Sequence, residues 1–179
     1  MSDRLASPLL PEPFQSCRLI VDCTPVFIER PKDADRQREF YSGKFKRHCA
    51  KYECAVRPSD GLFCWTSAMY AGPCHDIIVL HNSGLLDALG PGECLMGDKG
   101  YISGDLQHVL FTPYKGRNLT PQQAEYNVAL QEFRVVVEHS FGHLKQWGCL
   151  AGEWRSSLEK LDVVFVVCVC ITNMKTKRV

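Results

Sequence analysis

No stretch of this chain is apolar for long enough to cross a membrane. The longest such run, Val163 to Ile171, falls far short of the ~20 residues a spanning helix needs. A secretory signal is missing too: Asp3 and Arg4 lead into Pro8, Pro11 and Pro13 without an apolar segment. There are ten cysteines, yet none are spaced Cys-x-x-Cys, so the usual structural-zinc pattern is excluded. The simpler reading is free, mostly buried thiols in a reducing, intracellular compartment. Three chemical signatures are also absent: the Gly-x-Ser-x-Gly elbow, the glycine-rich phosphate loop and His-Glu-x-x-His. The net charge is only +1, so contact with nucleic acid has to rest on local basic patches.

What remains is an ordinary globular composition, 45% hydrophobic and 23% charged over 179 residues, enough for one domain with a sizeable core. Residues 1–16, proline-rich and without periodicity, read as a flexible leader; residues 17–179 read as the domain. Arg18-Leu-Ile-Val-Asp22 suits a buried strand. Residues 29–39, dense in charge, read as a solvated loop. Strands are expected around 46–56 and 62–70, joined by a turn at Pro58-Ser-Asp-Gly61. A helical pattern runs from Asp76 to Leu89, followed by short strands at Cys94-Leu-Met96 and Val109–Thr112. Thr120, Pro121 and Gln123 announce a capped helix start. Behind it Tyr126, Leu130, Phe133, Val137, Phe141 and Leu144 fall within about an 80° arc, so one amphipathic helix extends to near Gly148. Val163–Ile171 reads as a core element, with Cys168 and Cys170 as packing residues. The order points to an α/β fold with helices flanking a sheet.

Three carboxylates stand out. Asp22 and Asp98 end buried-looking strands, where ligands of α/β sheets tend to bind, and Gly97 and Gly100 flank Asp98. Glu138 lies in Val135-Val-Val-Glu138, an odd place for a carboxylate with no task. On the helical wheel Asn127, Arg134, Glu138 and Lys145 share an arc of roughly 40° at the rim of the apolar face. Each aspartate could merely stabilise a turn, and Glu138 could merely pair with Arg134. Together they suit a site for two divalent cations, which take oxygen ligands and serve phosphoryl transfer. Lys44, Lys46 and Arg47, with Phe45 among them, could follow a nucleic-acid backbone or simply guard a strand edge.

Several segments now occur in order: Val21-Asp22-Cys-Thr-Pro25, Tyr41-Ser-Gly-Lys44 with Arg47-His48, Gly72-Pro-Cys-His75-Asp76, Gly97-Asp98-Lys-Gly-Tyr101, Pro113-Tyr-Lys115 and Arg134-Val-Val-Val-Glu138-His-Ser-Phe141-Gly-His-Leu-Lys145. This resembles the DDE superfamily endonuclease domain of Harbinger-type and related transposases, from about residue 18 onward. The resemblance implies an RNase H-like mixed sheet flanked by helices. It implies metal-dependent hydrolysis of DNA phosphodiesters, with strand transfer to follow, at Asp22, Asp98 and Glu138. The metal would be Mg²⁺ or Mn²⁺, as two ions. Asp76 is a further ligand candidate, although an Asp opening a helix is also an ordinary N-cap. His75, Lys99, Arg134 and Lys145 become candidates for phosphate contact beside Lys44, Lys46 and Arg47. The partners implied are DNA, a separate DNA-binding module or protein and a second copy of the chain; the location implied is the nucleus. Such modules usually precede the domain, whereas here the first catalytic strand comes almost at once. The alternative is therefore a domesticated domain that binds DNA or protein without cleaving.

Overall fold

A computed structural model describes residues 10–176. Its centre is β1 (Cys17–Phe27), hydrogen-bonded on both sides: antiparallel to β3 (Arg47–Val56), parallel to β6 (Cys94–Met96). Beyond β6 lies the parallel β7 (Leu110–Phe111); beyond β3 lie β2 (Tyr41–Ser42), β4 (Phe63–Thr66) and β5 (Tyr70–Ala71), all antiparallel to it. The mixed sheet flanked by helices agrees with the element order read from the sequence and with the RNase H-like arrangement that the resemblance implies.

Strand periodicity divides the core in two. Ile20 and Val26 face one side of β1, with α3 (Pro121–Leu144) and α5 (Leu158–Thr176). Leu19 and Val21 face the other, with Leu80 and Leu85. Period two then assigns Asp22 to the α3 side and Cys23 to the opposite side. Burial on both faces explains why Leu19-Ile-Val21 is continuously apolar.

The Thr120 start is realised in full: its hydroxyl accepts from the Gln123 amide, and the Gln123 side chain accepts from the Thr120 amide. The helix ends at Leu144, a turn before Gly148. Other expectations are corrected. The charged segment 29–39 contains the start of a helix, α1 (Ala34–Phe40), capped by Asp33 and anchored by Phe40 alone, too little burial to leave a periodic signal. The strand expected at 62–70 is two strands interrupted at Ser67–Met69. The helix beginning at Asp76, α2 (Asp76–Asn82), stops early because Gly84 takes φ 81°, leaving one 3₁₀ turn at Leu86–Ala88. The last apolar run is helical but only half core: Cys168 is buried while Val163, Val166, Val167 and Cys170 are exposed. Among the described residues no helix is long and apolar enough to cross a membrane.

The leader expected over residues 1–16 is corrected in its described part, and residues 1–9 lie outside the described range. Phe14 is fully buried, its ring 5.3 Å from Phe111, 5.1 Å from Tyr126 and 5.8 Å from Phe133. It joins β7 to α3 beside the start of β1. Phe14→Ala is expected to lower stability by about 3 kcal/mol or more in urea unfolding, since a buried ring is replaced by a void. A loss under about 1 kcal/mol would place Phe14 outside the core.

Candidate active site

Four acidic side chains open on one cleft of about 560 Å³ beside the middle of β1 and the end of β6. Asp22 reaches it from β1. Its Oδ1 accepts from the amide of Cys23 at 2.7 Å and its Oδ2 from Arg134 Nη2 at 3.1 Å. Arg134 comes from the middle of α3, nearly buried, and is held by Gln131 Oε1 at 3.2 Å. Burial pushes the Asp22 carboxyl up to about 6; Arg134 and the Cys23 amide oppose this, and Asp98 and Asp76 add to it.

Asp98 follows β6 through Gly97 and caps a 3₁₀ turn, Lys99–Tyr101, its Oδ1 accepting from the Gly100 amide at 2.7 Å. Asp76 opens α2 but is not its cap, a position held by His75 without a side-chain bond. Instead Asp76 Oδ1 accepts from Lys51 Nζ at 2.8 Å, and Lys51 also donates to the Cys74 carbonyl. A side chain at Gly100 would strike both neighbours: its Cβ would lie 2.8 Å from Asp76 Oδ2 and 2.9 Å from Asp98 Oδ1. A side chain at Gly97 would press on the Tyr101 ring at 3.0 Å. Tyr101 is fully buried behind the site, its hydroxyl 3.3 Å from Cys23 Sγ. The motif Gly97-Asp-Lys-Gly-Tyr101 thus has a steric meaning: one glycine admits the ring, the other admits two carboxylates.

Glu138 lines the same cleft from α3, one turn beyond Arg134, with its side chain 51% exposed. Its Oε1 accepts from Gln131 Nε2 at 3.4 Å and lies 4.0 Å from Arg134 Nη1, so the guanidinium stands between Asp22 and Glu138. Among the described residues no three acidic, thiol or imidazole side chains are close enough together to hold a metal ion.

The basic candidates separate. Lys44, His75 and Arg134 line the cleft; Lys46, Arg47, Lys99 and Lys145 do not. Arg47 pairs with Glu153 at 3.2 Å and covers the Phe27 ring. Lys145 turns inward, donating to the carbonyls of Pro25 and Leu150, and burial brings its amine down to about 8. It ties β1 to the short helix α4 (Gly148–Ala151) instead of facing the cleft.

One residue of the cleft, Lys51, and one buried carboxyl behind it, Glu53, escaped the sequence reading. Lys51 lies between the buried Ala50 and Tyr52. Glu53 is fully buried in Tyr52-Glu-Cys-Ala-Val56, an intrusion of charge into an apolar run like that of Glu138. Neither Glu53 oxygen has a well-formed hydrogen bond; Ser83 eases its charge slightly, and burial pushes it up to about 7.

The model for the DDE superfamily endonuclease family matches residues 21–173. This chain belongs to that family. The DDE endonuclease domain is 33% identical over 155 residues to a protein of Microchaete diplosiphon named probable transposase for insertion sequence element IS702, covering 83% of this chain and 53% of the relative. It is 26% identical over 175 residues to Protein ALP1-like of Arabidopsis thaliana, covering 89% and 43% respectively. The chain thus spans about half the length of the curated relatives it matches. No solved structure matches it.

Both raised carboxyls predict how stability follows pH. Asp22 and Glu53 take up protons more readily folded than unfolded, so their contribution is fully present below about pH 4 and is lost as pH rises through 6 and 7. Glu53→Gln, in metal-free buffer, is expected to flatten that decline and stabilise the domain at pH 8 by on the order of 2 kcal/mol. An unchanged slope between pH 5 and 8 would show that Glu53 does not titrate there.

Proposed function

We propose that this domain is the catalytic core of a divalent-metal-dependent DNA endonuclease of transposase type. One observation carries the reading: Asp76 Oδ2 and Asp98 Oδ1 close on the same point at Gly100, in a cleft that Asp22 and Glu138 also line. A cradle of carboxylate oxygens, kept open by a glycine, suits a hard cation and not a soft one.

Asp22, Asp76, Asp98 and Glu138 would hold Mg²⁺ or Mn²⁺, two ions in all. Bound there, the ions would activate the attacking oxygen and stabilise the leaving one in phosphodiester cleavage. The protein's part is positioning. Arg134 fixes Asp22 on the α3 side of the sheet, and Lys51 turns Asp76 toward Gly100. Lys44 and His75, on the cleft wall, would meet the phosphate oxygens of the DNA. Glu138, half exposed, has room to leave Gln131 and complete the set. Strand transfer, a separate DNA-binding module, self-association and a nuclear location belong to the same proposal, and rest on resemblance to transposases.

A specific observation favours a second reading. Arg134 already stands between Asp22 and Glu138, a cation beside two of the carboxylates that would hold the metal. A domain whose charges are satisfied in this way could bind DNA or protein without cutting. Plasmid nicking separates the two readings. Nicking is expected with Mg²⁺ or Mn²⁺ but not with EDTA, is abolished in Asp98→Asn, and falls roughly 10–100-fold in Lys51→Gln, whose side chain only supports a ligand. DNA bound but uncut with either metal would establish the second reading.

A further inference from the structure

The ten cysteines find no use in the cleft chemistry, yet two of them meet elsewhere. Cys149 in α4 and Cys168 in α5 place their sulfurs 3.7 Å apart. Cys149 is exposed and Cys168 is buried, so one thiol meets solvent while its neighbour waits behind it. The surrounding contacts already hold the two segments together. Trp147 Nε1 donates to Thr172 Oγ1 at 2.9 Å, and Lys175 Nζ lies 4.1 Å from the centre of the Trp147 ring. With Cys168 these make rungs at one face of α5, successive turns apart. Leu150, next to Cys149, is tied through Lys145 to Pro25 of β1.

We propose that Cys149 and Cys168 form a thiol–disulfide exchange site whose ligand class is small-molecule disulfides. The thiolate of Cys149 attacks one sulfur of the small disulfide, forming a mixed disulfide and releasing one small thiolate. The Cys168 thiol then attacks Cys149 Sγ. The Cys149–Cys168 bond forms, the bond to the small molecule breaks, and the proton of Cys168 leaves with the second small thiol. Two protein thiols are oxidised and one small disulfide is reduced to two thiols. Closure needs the sulfurs to move together by less than the width of an atom, across a contact that Trp147 and Lys175 already fix. The product is a covalent rung joining α5 to the segment that follows α3.

The reduced full chain, incubated with oxidised glutathione in metal-free buffer, tests this by intact mass and non-reducing peptide mapping. One internal bridge, Cys149 to Cys168, is expected, with the mass lower by two hydrogens and the melting temperature higher by on the order of 5 °C. Cys170→Ser is expected to leave the bridge intact. Cys149→Ser, a change at an exposed position, is expected to melt like the reduced parent and to form no bridge. Three results would overturn the proposal: a glutathione adduct that stays on Cys149, a bridge to any other cysteine, or ten thiols still free after treatment.

Discussion

A half-buried carboxylate at the centre of the sheet sets the terms for everything around it. Asp22 sits on β1, the strand with partners on both sides, and its charge is costly there. Arg134 answers it from α3, itself almost buried, so each ion is tolerated because the other is present. That pair fixes α3 in rotation as well as position. Once Arg134 points at Asp22, Glu138 one turn later points at the cleft, and the apolar arc of the same helix faces Ile20 and Phe14. The second pair, Lys51 with Asp76, does the same for α2. Two ion pairs therefore account for two of the four acidic groups in the cleft. Among the described residues Asp98 has only a backbone amide, and Glu138 a long contact with Gln131 and Arg134. Negative charge is left over, which is the electrostatic reason to assign a cation-binding task to this place.

Steric constraint complements the charge. At Gly100 the turn after β6 meets the start of α2, and its missing side chain lets Asp76 and Asp98 approach. Tyr101 fills the space behind and reaches Cys23 on the far face of β1. The cleft is thus floored by a packed ring and not by a mobile loop, as a site requiring fixed oxygen positions demands.

Much of this was legible from residue order, and the reasons are local. Asp98 closes an apolar strand as expected, whereas Asp22, expected to end its strand, lies in the middle of β1, which pairs with β3 as far as Phe27. Thr120, Pro121 and Gln123 carry the start of α3 within four residues. What could not be read depends on pairing across the chain. Lys51 becomes a site residue only because β3 lies beside β1 and α2 begins over it. The wheel that grouped Lys145 with Glu138 was geometrically sound. But Lys145 stands where α3 ends, and the strand carbonyl of Pro25 lies within its reach. Asp76 could have been a helix cap from sequence alone; the lysine that claims it is 25 positions away. Phe14 was hidden by its proline neighbours, whose lack of periodicity says nothing about one buried ring.

The most direct test is crystallographic. Crystals of the domain grown with Mn²⁺, with data collected above the manganese absorption edge, report where the ion sits without reference to any activity. The account predicts an anomalous peak at the mouth of the Gly100 cradle, within ~2.0–2.3 Å of Asp76 and Asp98 oxygens and near Asp22. A cleft with no such peak, and with Arg134 still seated between Asp22 and Glu138 at saturating Mn²⁺, would contradict it.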